Sequence, residues 1–211
     1  MEQIVISGFD RTGNMVRPWA EAGYTCYCID IQHQVGETRE GNIIFVGADI
    51  RRWLPPYGRR IAFQAYFPPC TDLAVSGARW FKAKGLPRLV EALDLFCAAI
   101  RLADWIDAPY ENPVSTVSTY WRKPDHAFDP CDYAAYHGGE NDRYTKKTCL
   151  WTGKGFVMPP SKPLTAAFGS KMHLIPPGPE RANLRSEIPR GFAQAVFEHN
   201  RGYPEGGRHL R

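Results

Sequence analysis

The 211-residue chain contains no apolar run near the roughly 20 residues that a membrane-spanning helix needs. Its opening residues, "MEQIVISG", lack the basic, apolar and small-residue succession of a secretory leader and read directly as a strand. These absences lead to the expectation of a cytoplasmic protein without a membrane partner. The six cysteines (Cys26, Cys28, Cys70, Cys97, Cys131, Cys149) follow no disulfide-framework spacing. A chain of this length buries a core without such staples. His126, Cys131, His137 and Cys149 share one irregular region, but H-x4-C-x5-H is not a zinc spacing, so no metal is expected. Repeats, low-complexity tracts and an obvious linker are also missing. The expectation is one domain over 1–211, with the ordered core in 1–113 and a loop-rich remainder in 114–211.

Acidic residues are scarce in one place. Between Arg51 and Arg88 there are eight basic residues, Arg79 among them, and a single acid, Asp72. That window carries +7, and the remainder of a +4 chain carries −3. A local positive field attracts polyanions, and this one surrounds Cys70. The alternative is an ordinary solvated basic face.

The first half alternates strand-like and helix-like segments. "QIVIS", "YTCYCID", "NIIFVGAD" and "RIAFQAYF" read as strands, "APYEN" as a short fifth, and "VRPWAEAG" and "PRLVEALDLFCAAIRLADWI" as helices. Such alternation implies parallel pairing and an α/β sandwich, with a ligand crevice at the carboxyl ends of the strands. Gly8, Asp30, Asp49, Cys70 and Glu111 all fall at those ends. Beyond Pro113, residues 122–142 read as a loop, "KKTCLWTG" as a late strand and "PRGFAQAVFEHN" as a final helix.

The first strand joins a helix through "SGFDRTGN", where Gly8 and Gly13 would let a ligand approach the backbone. The loop is not G-x-G-x-x-G and has no phosphate-loop lysine, which disfavours dinucleotide and triphosphate ligands. Asp30 suits ribose hydroxyls and Asp49 an adenine amino group; either could instead be a cap or turn residue. Three such positions in order favour an adenosyl ligand. Cys26, Cys28 and Cys97 read as small hydrophobes. Cys70 differs, because Pro68 and Pro69 end its strand and nearby positive charge would favour the thiolate. No histidine adjoins it, so a protease-like pair is not indicated. Trp80, Phe81, Tyr120 and Trp121 either stack on bases or pack in the core.

"FPPCTDLAVSGARWF", "ENPVSTVSTYWRKPD", "KKTCLWTG" and "RSEIPRGFAQAV" occur in that order behind the glycine loop and two strand-end aspartates. In these blocks the chain resembles DNA cytosine-5 methyltransferases, and more closely their short, phage-type DNA methylase-like members. The resemblance implies a Rossmann-like S-adenosylmethionine-dependent methyltransferase fold, with a mostly parallel doubly wound sheet in three α/β/α layers. It implies S-adenosylmethionine as cofactor and DNA as partner, in the cytoplasm of a bacterium or a phage-infected host. Cys70 would add to carbon 6 of an extruded cytosine, while Glu111, beside Asn112, would hold the base edge and supply a proton near ring nitrogen 3. Asp30 would bind the ribose and Asp49 the adenine, with Gly8, Gly13 and Pro68 lining the cofactor site. Lys147 and Arg79 would contact the substrate. The chain departs from the family where "TD" follows Cys70 and where Pro113 follows Asn112. Little chain remains for target recognition, which implies a protein partner supplying it. RNA or a free nucleotide as substrate, or a silent nucleic-acid-binding protein on the same scaffold, remain open alternatives.

Overall fold

The apolar runs become strands buried on both faces. The structure, a computed structural model, describes residues 3–74, 80–103, 110–113, 117–153, 155–170 and 174–202, with side chains throughout except at 110–113. The strands are β1 (Gln3–Gly8), β2 (Thr25–Glu40), β3 (Ile43–Gly47), β4 (Arg60–Tyr66), β5 (Tyr110–Pro113), β6 (His126–Phe128) and β7 (Thr148–Trp151). They form one seven-stranded sheet in the order β3-β2-β1-β4-β5-β7-β6. The run from β3 to β5 pairs in parallel, and β7 lies antiparallel between β5 and β6.

The helices are α1 (Arg17–Glu21), α2 (Phe81–Lys84), α3 (Leu86–Ala103), α4 (Val117–Tyr120), α5 (Arg181–Ser186) and α6 (Arg190–Asn200). Alternation along β1 sends Ile4 and Ile6 towards α3, where Phe96, Ala99 and Leu102 meet them. Val5 points the other way, into a cluster with Trp19 of α1 and Phe192 and Val196 of α6. The sheet therefore has helices on both faces, as the alternating pattern predicts. Each large apolar side chain buried in this way contributes roughly 1.5–3 kcal/mol.

Two polar side chains seal the ends of elements. Buried Gln64 donates to the carbonyls of Leu102 and Ala103, which close α3, and accepts from the Tyr66 hydroxyl at 2.7 Å. Buried Asp142 accepts from the Gly191 amide in the first turn of α6 at 2.8 Å. A side chain on Gly191 would collide with the Tyr133 carbonyl oxygen of the adjoining 3-10 turn, Pro130–Tyr133. Gly191→Ala is accordingly expected to destabilise the protein by about 2–4 kcal/mol, read as a lower denaturant midpoint.

The structure differs from the sequence reading in several places, among them the short helices α2, α4 and α5, which no sequence pattern announces. The expected loop over 122–142 contains β6 and the 3-10 turn. Cys97, expected to be buried, is exposed on α3, whereas Cys26 and Cys28 are buried. β2, read from the sequence as ending at Asp30, continues to Glu40. Residues 35–40 turn back along the outer edge of β3, with Glu37 opposite Val46 and Glu40 opposite Ile43. No helix among the described residues is long and apolar enough to cross a membrane.

Candidate functional site at the carboxyl ends of the strands

From β1 the chain moves outward to β2 and β3, then returns to the other side of β1 for β4. The order therefore reverses between β1 and β4. In open α/β sheets that reversal opens a crevice beyond the carboxyl ends of the strands, where ligands bind.

The β1 loop is organised by Asp10, a residue the sequence reading passed over. Its Oδ1 accepts from Thr12 N (3.2 Å), Thr12 Oγ1 (3.0 Å) and Gly13 N (2.8 Å). Its Oδ2 accepts from Ser7 Oγ (2.9 Å) and Met15 N (3.3 Å). Burial pushes the Asp10 carboxyl above its ordinary value, and the donors from Ser7, Thr12, Met15 and Gly13 pull it down only in part. The signal was present in "DRTG", since an aspartate before such residues favours side-chain-to-backbone turns. Phe9, just before it, holds φ at 58°, a left-handed conformation rare for a bulky residue and frequent at functional loops.

The two loop glycines have neighbours within the protein. A side chain on Gly8 would strike the Tyr66 ring. Gly13 sits at φ 69°, and an added Cβ would lie 3.1 Å from the Phe45 ring. Both glycines are thus required for close packing of the loop against β3 and β4.

Asp30 closes the first leg of β2 and is half-buried; its Oδ1 accepts from Gln32 N at 2.8 Å. An ionised carboxylate has about four lone-pair directions, so further donors can be accommodated. His33, on the excursion that follows, places Nε2 3.1 Å from the Arg11 carbonyl and Nδ1 3.3 Å from that of Val46. It ties the β1 loop to β3.

Asp49, beyond the end of β3, is engaged by a guanidinium. Arg51 donates Nε to Oδ1 (2.9 Å) and Oδ2 (3.0 Å), and Nη2 to Oδ2 at 2.6 Å. It also reaches Asp94 on α3 at 3.2 Å. The hydrogen bonds from Arg51 hold the Asp49 carboxyl below its ordinary value. An adenine amino group at Asp49 would have to compete with this pairing.

Cys70 lies four residues past β4, half-exposed, with Pro68 buried before it. The Cys70 carbonyl accepts from the amides of Leu73 (3.0 Å) and Ala74 (2.8 Å), which folds the chain into a turn just after the thiol. Lys84 fastens that turn from α2, donating to the Thr71 carbonyl at 3.0 Å and pairing with Asp72 at 2.6 Å. The two prolines thus end the strand and lead into a braced turn.

Tyr110 is the residue of β5 that pairs with Tyr66, so Glu111 and Asn112 lie one and two positions beyond the end of β4. Their side chains, and the whole of Arg79, lie outside the described residues. β7 runs against β5, and Thr148 stands opposite Pro113. Exposed Lys147, directly before Thr148, therefore reaches the same rim as Cys70 and Glu111. The basic window divides. Arg51, Arg52, Lys82, Lys84 and Arg88 follow the carboxyl ends of strands, whereas Arg59 and Arg60 stand at the amino end of β4, about 20 Å away. Trp121 packs on Phe96 and Trp151, while Tyr120 is exposed. Among the described residues no three His, Cys, Asp or Glu side chains gather as a metal site.

No family model matches the chain, and no curated protein matches it. Among solved structures the chain is similar to a prophage-encoded E. coli protein provisionally assigned as a DNA modification methyltransferase. The two are 12% identical with a TM-score of 0.43, and the match covers 78% of this chain and 53% of the other. The chain thus spans about half the length of that structure, and a likeness this slight assigns neither fold nor activity.

Proposed function

We propose that the chain is an S-adenosylmethionine-dependent methyltransferase that modifies carbon 5 of cytosine in DNA through a covalent Cys70 adduct. The observation that carries this reading is a convergence on one rim. The Asp10-braced loop, Asp30, the Cys70 turn, Glu111 and Lys147 come from separate parts of the chain to adjacent strand ends.

The residues fit a nucleoside at Asp30, which can accept from ribose hydroxyls while keeping its bond to Gln32. S-adenosylmethionine, when bound, supplies the methyl group. The Cys70 thiolate adds to carbon 6 of the base, which makes carbon 5 nucleophilic. Glu111 holds the base edge and provides a proton near ring nitrogen 3, so negative charge does not build up on the ring. After carbon 5 is methylated it loses its proton to water, the electron pair that forms the double bond expels Cys70 as the thiolate, and the proton near ring nitrogen 3 returns to Glu111. Lys147 meets a backbone phosphate. Asp49 serves the adenine only when Arg51 swings towards Asp94.

Incorporation of labelled methyl into duplex DNA, single-stranded DNA, RNA and free cytidine nucleotide tests the reading. DNA is expected to be labelled. Labelling of RNA or nucleotide alone would move the substrate, and no labelling of any would overturn transfer. Asp30→Ala is expected to weaken S-adenosylhomocysteine binding about 10–100-fold by calorimetry, the loss of charge-assisted hydrogen bonds. The Arg51–Asp49 pairing favours a second reading, a nucleic-acid-binding protein without turnover. It predicts salt-sensitive binding with no affinity for the cofactor.

A further inference from the structure

A pocket of about 240 Å³ opens beside the Cys70 turn, with Phe81 and Leu89 among its lining residues and Lys82, Lys84 and Arg88 around them. Its lining includes no residue of the β1 loop, β2 or β3. Its volume is below the roughly 300–1,000 Å³ of sites that enclose a complete small ligand, so it suits one unit presented by a longer molecule. Its acid, Asp72, is matched by Lys84 at 2.6 Å. Lys82 is exposed, and Arg88 meets Glu91 only at 3.8 Å with both side chains more than half exposed. A contact of that kind is worth little. The pocket therefore combines an apolar, aromatic lining with a net positive margin. A phosphate suits the margin but not the lining, and a planar base suits the lining through stacking.

Lys84 fixes where this pocket stands relative to the thiol. The same ammonium that lines the pocket grips Thr71 and Asp72, and Asp72 is two residues, at most about 7 Å of chain, from Cys70. We infer that the pocket holds a nucleotide of the substrate strand neighbouring the one at Cys70. Its base lies on Phe81 and Leu89 and its phosphate on Lys82 and Arg88. This rests on the nucleic-acid part of the proposed function and adds a second nucleotide site to it.

The test is equilibrium binding of a short labelled single-stranded DNA and its duplex over a range of salt, without cofactor, to the full chain. Lys82→Ala/Arg88→Ala is expected to weaken binding at least about tenfold at low salt. It should also flatten the log–log salt slope by about 1.4 for single strands, the signature of two released phosphate contacts. Phe81→Ala is expected to lower affinity without altering that slope, and Phe81→Trp to restore it; melting temperatures check that the variants are folded. Arg59→Ala, at the far end of β4, should bind as the parent does. If the parent binds DNA and the double variant matches it in affinity and slope, the pocket assignment falls while the proposed function stands. If binding depends on the pocket but no methyl is transferred, the pocket stands and the proposed chemistry falls. If the parent binds neither DNA form, the pocket assignment is overturned together with DNA as substrate.

Discussion

Replacing Cys70 with serine is expected to cut methyl transfer by about a thousandfold or more, equivalent to roughly 4 kcal/mol of barrier. It should also abolish the covalent complex with DNA carrying cytosine fluorinated at carbon 5. Sulfur matters because a thiolate forms within reach of neutral pH, whereas a serine hydroxyl ionises far less readily and is the weaker nucleophile. The substitution is conservative in volume, and Cys70 is only half-buried, so folding and S-adenosylhomocysteine binding should remain close to the parent. That separation identifies the thiol as a reacting group. A serine variant with undiminished transfer would refute the covalent route, and one with lost cofactor binding would make Cys70 a structural residue instead.

The second large effect belongs to Asp10. Asp10→Ala removes the acceptor for three backbone amides and two hydroxyls in the β1 loop. Stranding buried donors costs about 1–3 kcal/mol each before relaxation, so a loss of about 3–5 kcal/mol in unfolding free energy is expected. Cofactor binding should fail in any fraction that folds, because the loop that shapes the crevice is undone. Chemical denaturation with calorimetry on the same samples reads both. The pH dependence has a definite sign. Burial raises the folded carboxyl above its ordinary 3.8, so the native state holds this proton more tightly than the unfolded chain. The contribution is full below that ordinary value and is lost as pH rises through the raised folded value. Asp10→Asn should flatten this part of the stability profile. An unchanged profile would place the proton elsewhere.

The parts of the fold that were legible are those whose side chains are buried on both faces. Ile4–Val5–Ile6 declares itself because a central parallel strand needs apolar groups in succession. The β2 excursion was not legible: Ile31 and Val35 are 73% and 92% exposed, so no alternation marks its faces. At the site, sequence order puts Asp30, Cys70 and Glu111 at strand ends on one side of the sheet, since parallel connectivity alone dictates that. The grip of Arg51 on Asp49 was invisible, because it depends on a side-chain rotamer and on Asp94, distant in sequence. Gly8 was singled out for a ligand's approach, while its immediate neighbour is the ring of Tyr66, a contact between two strands that no local pattern encodes. Asp10 is readable from its turn chemistry, an aspartate followed by Thr12 and Gly13.

The strand formed by residues 35–40 also bears on the order in which the sheet assembles. It joins β3 through two residues, with Gly41 at φ 57° permitting the tight reversal. Closing so short a loop costs little chain entropy and takes microseconds, whereas the seam between β5 and β7 must unite residues separated by dozens of positions. The outer corner of the sheet therefore forms on local information alone. Pairing across the rim that carries Cys70 and Glu111 waits for long-range closure, as does the pairing of β1 with β4, so the crevice at the strand ends is completed after that corner.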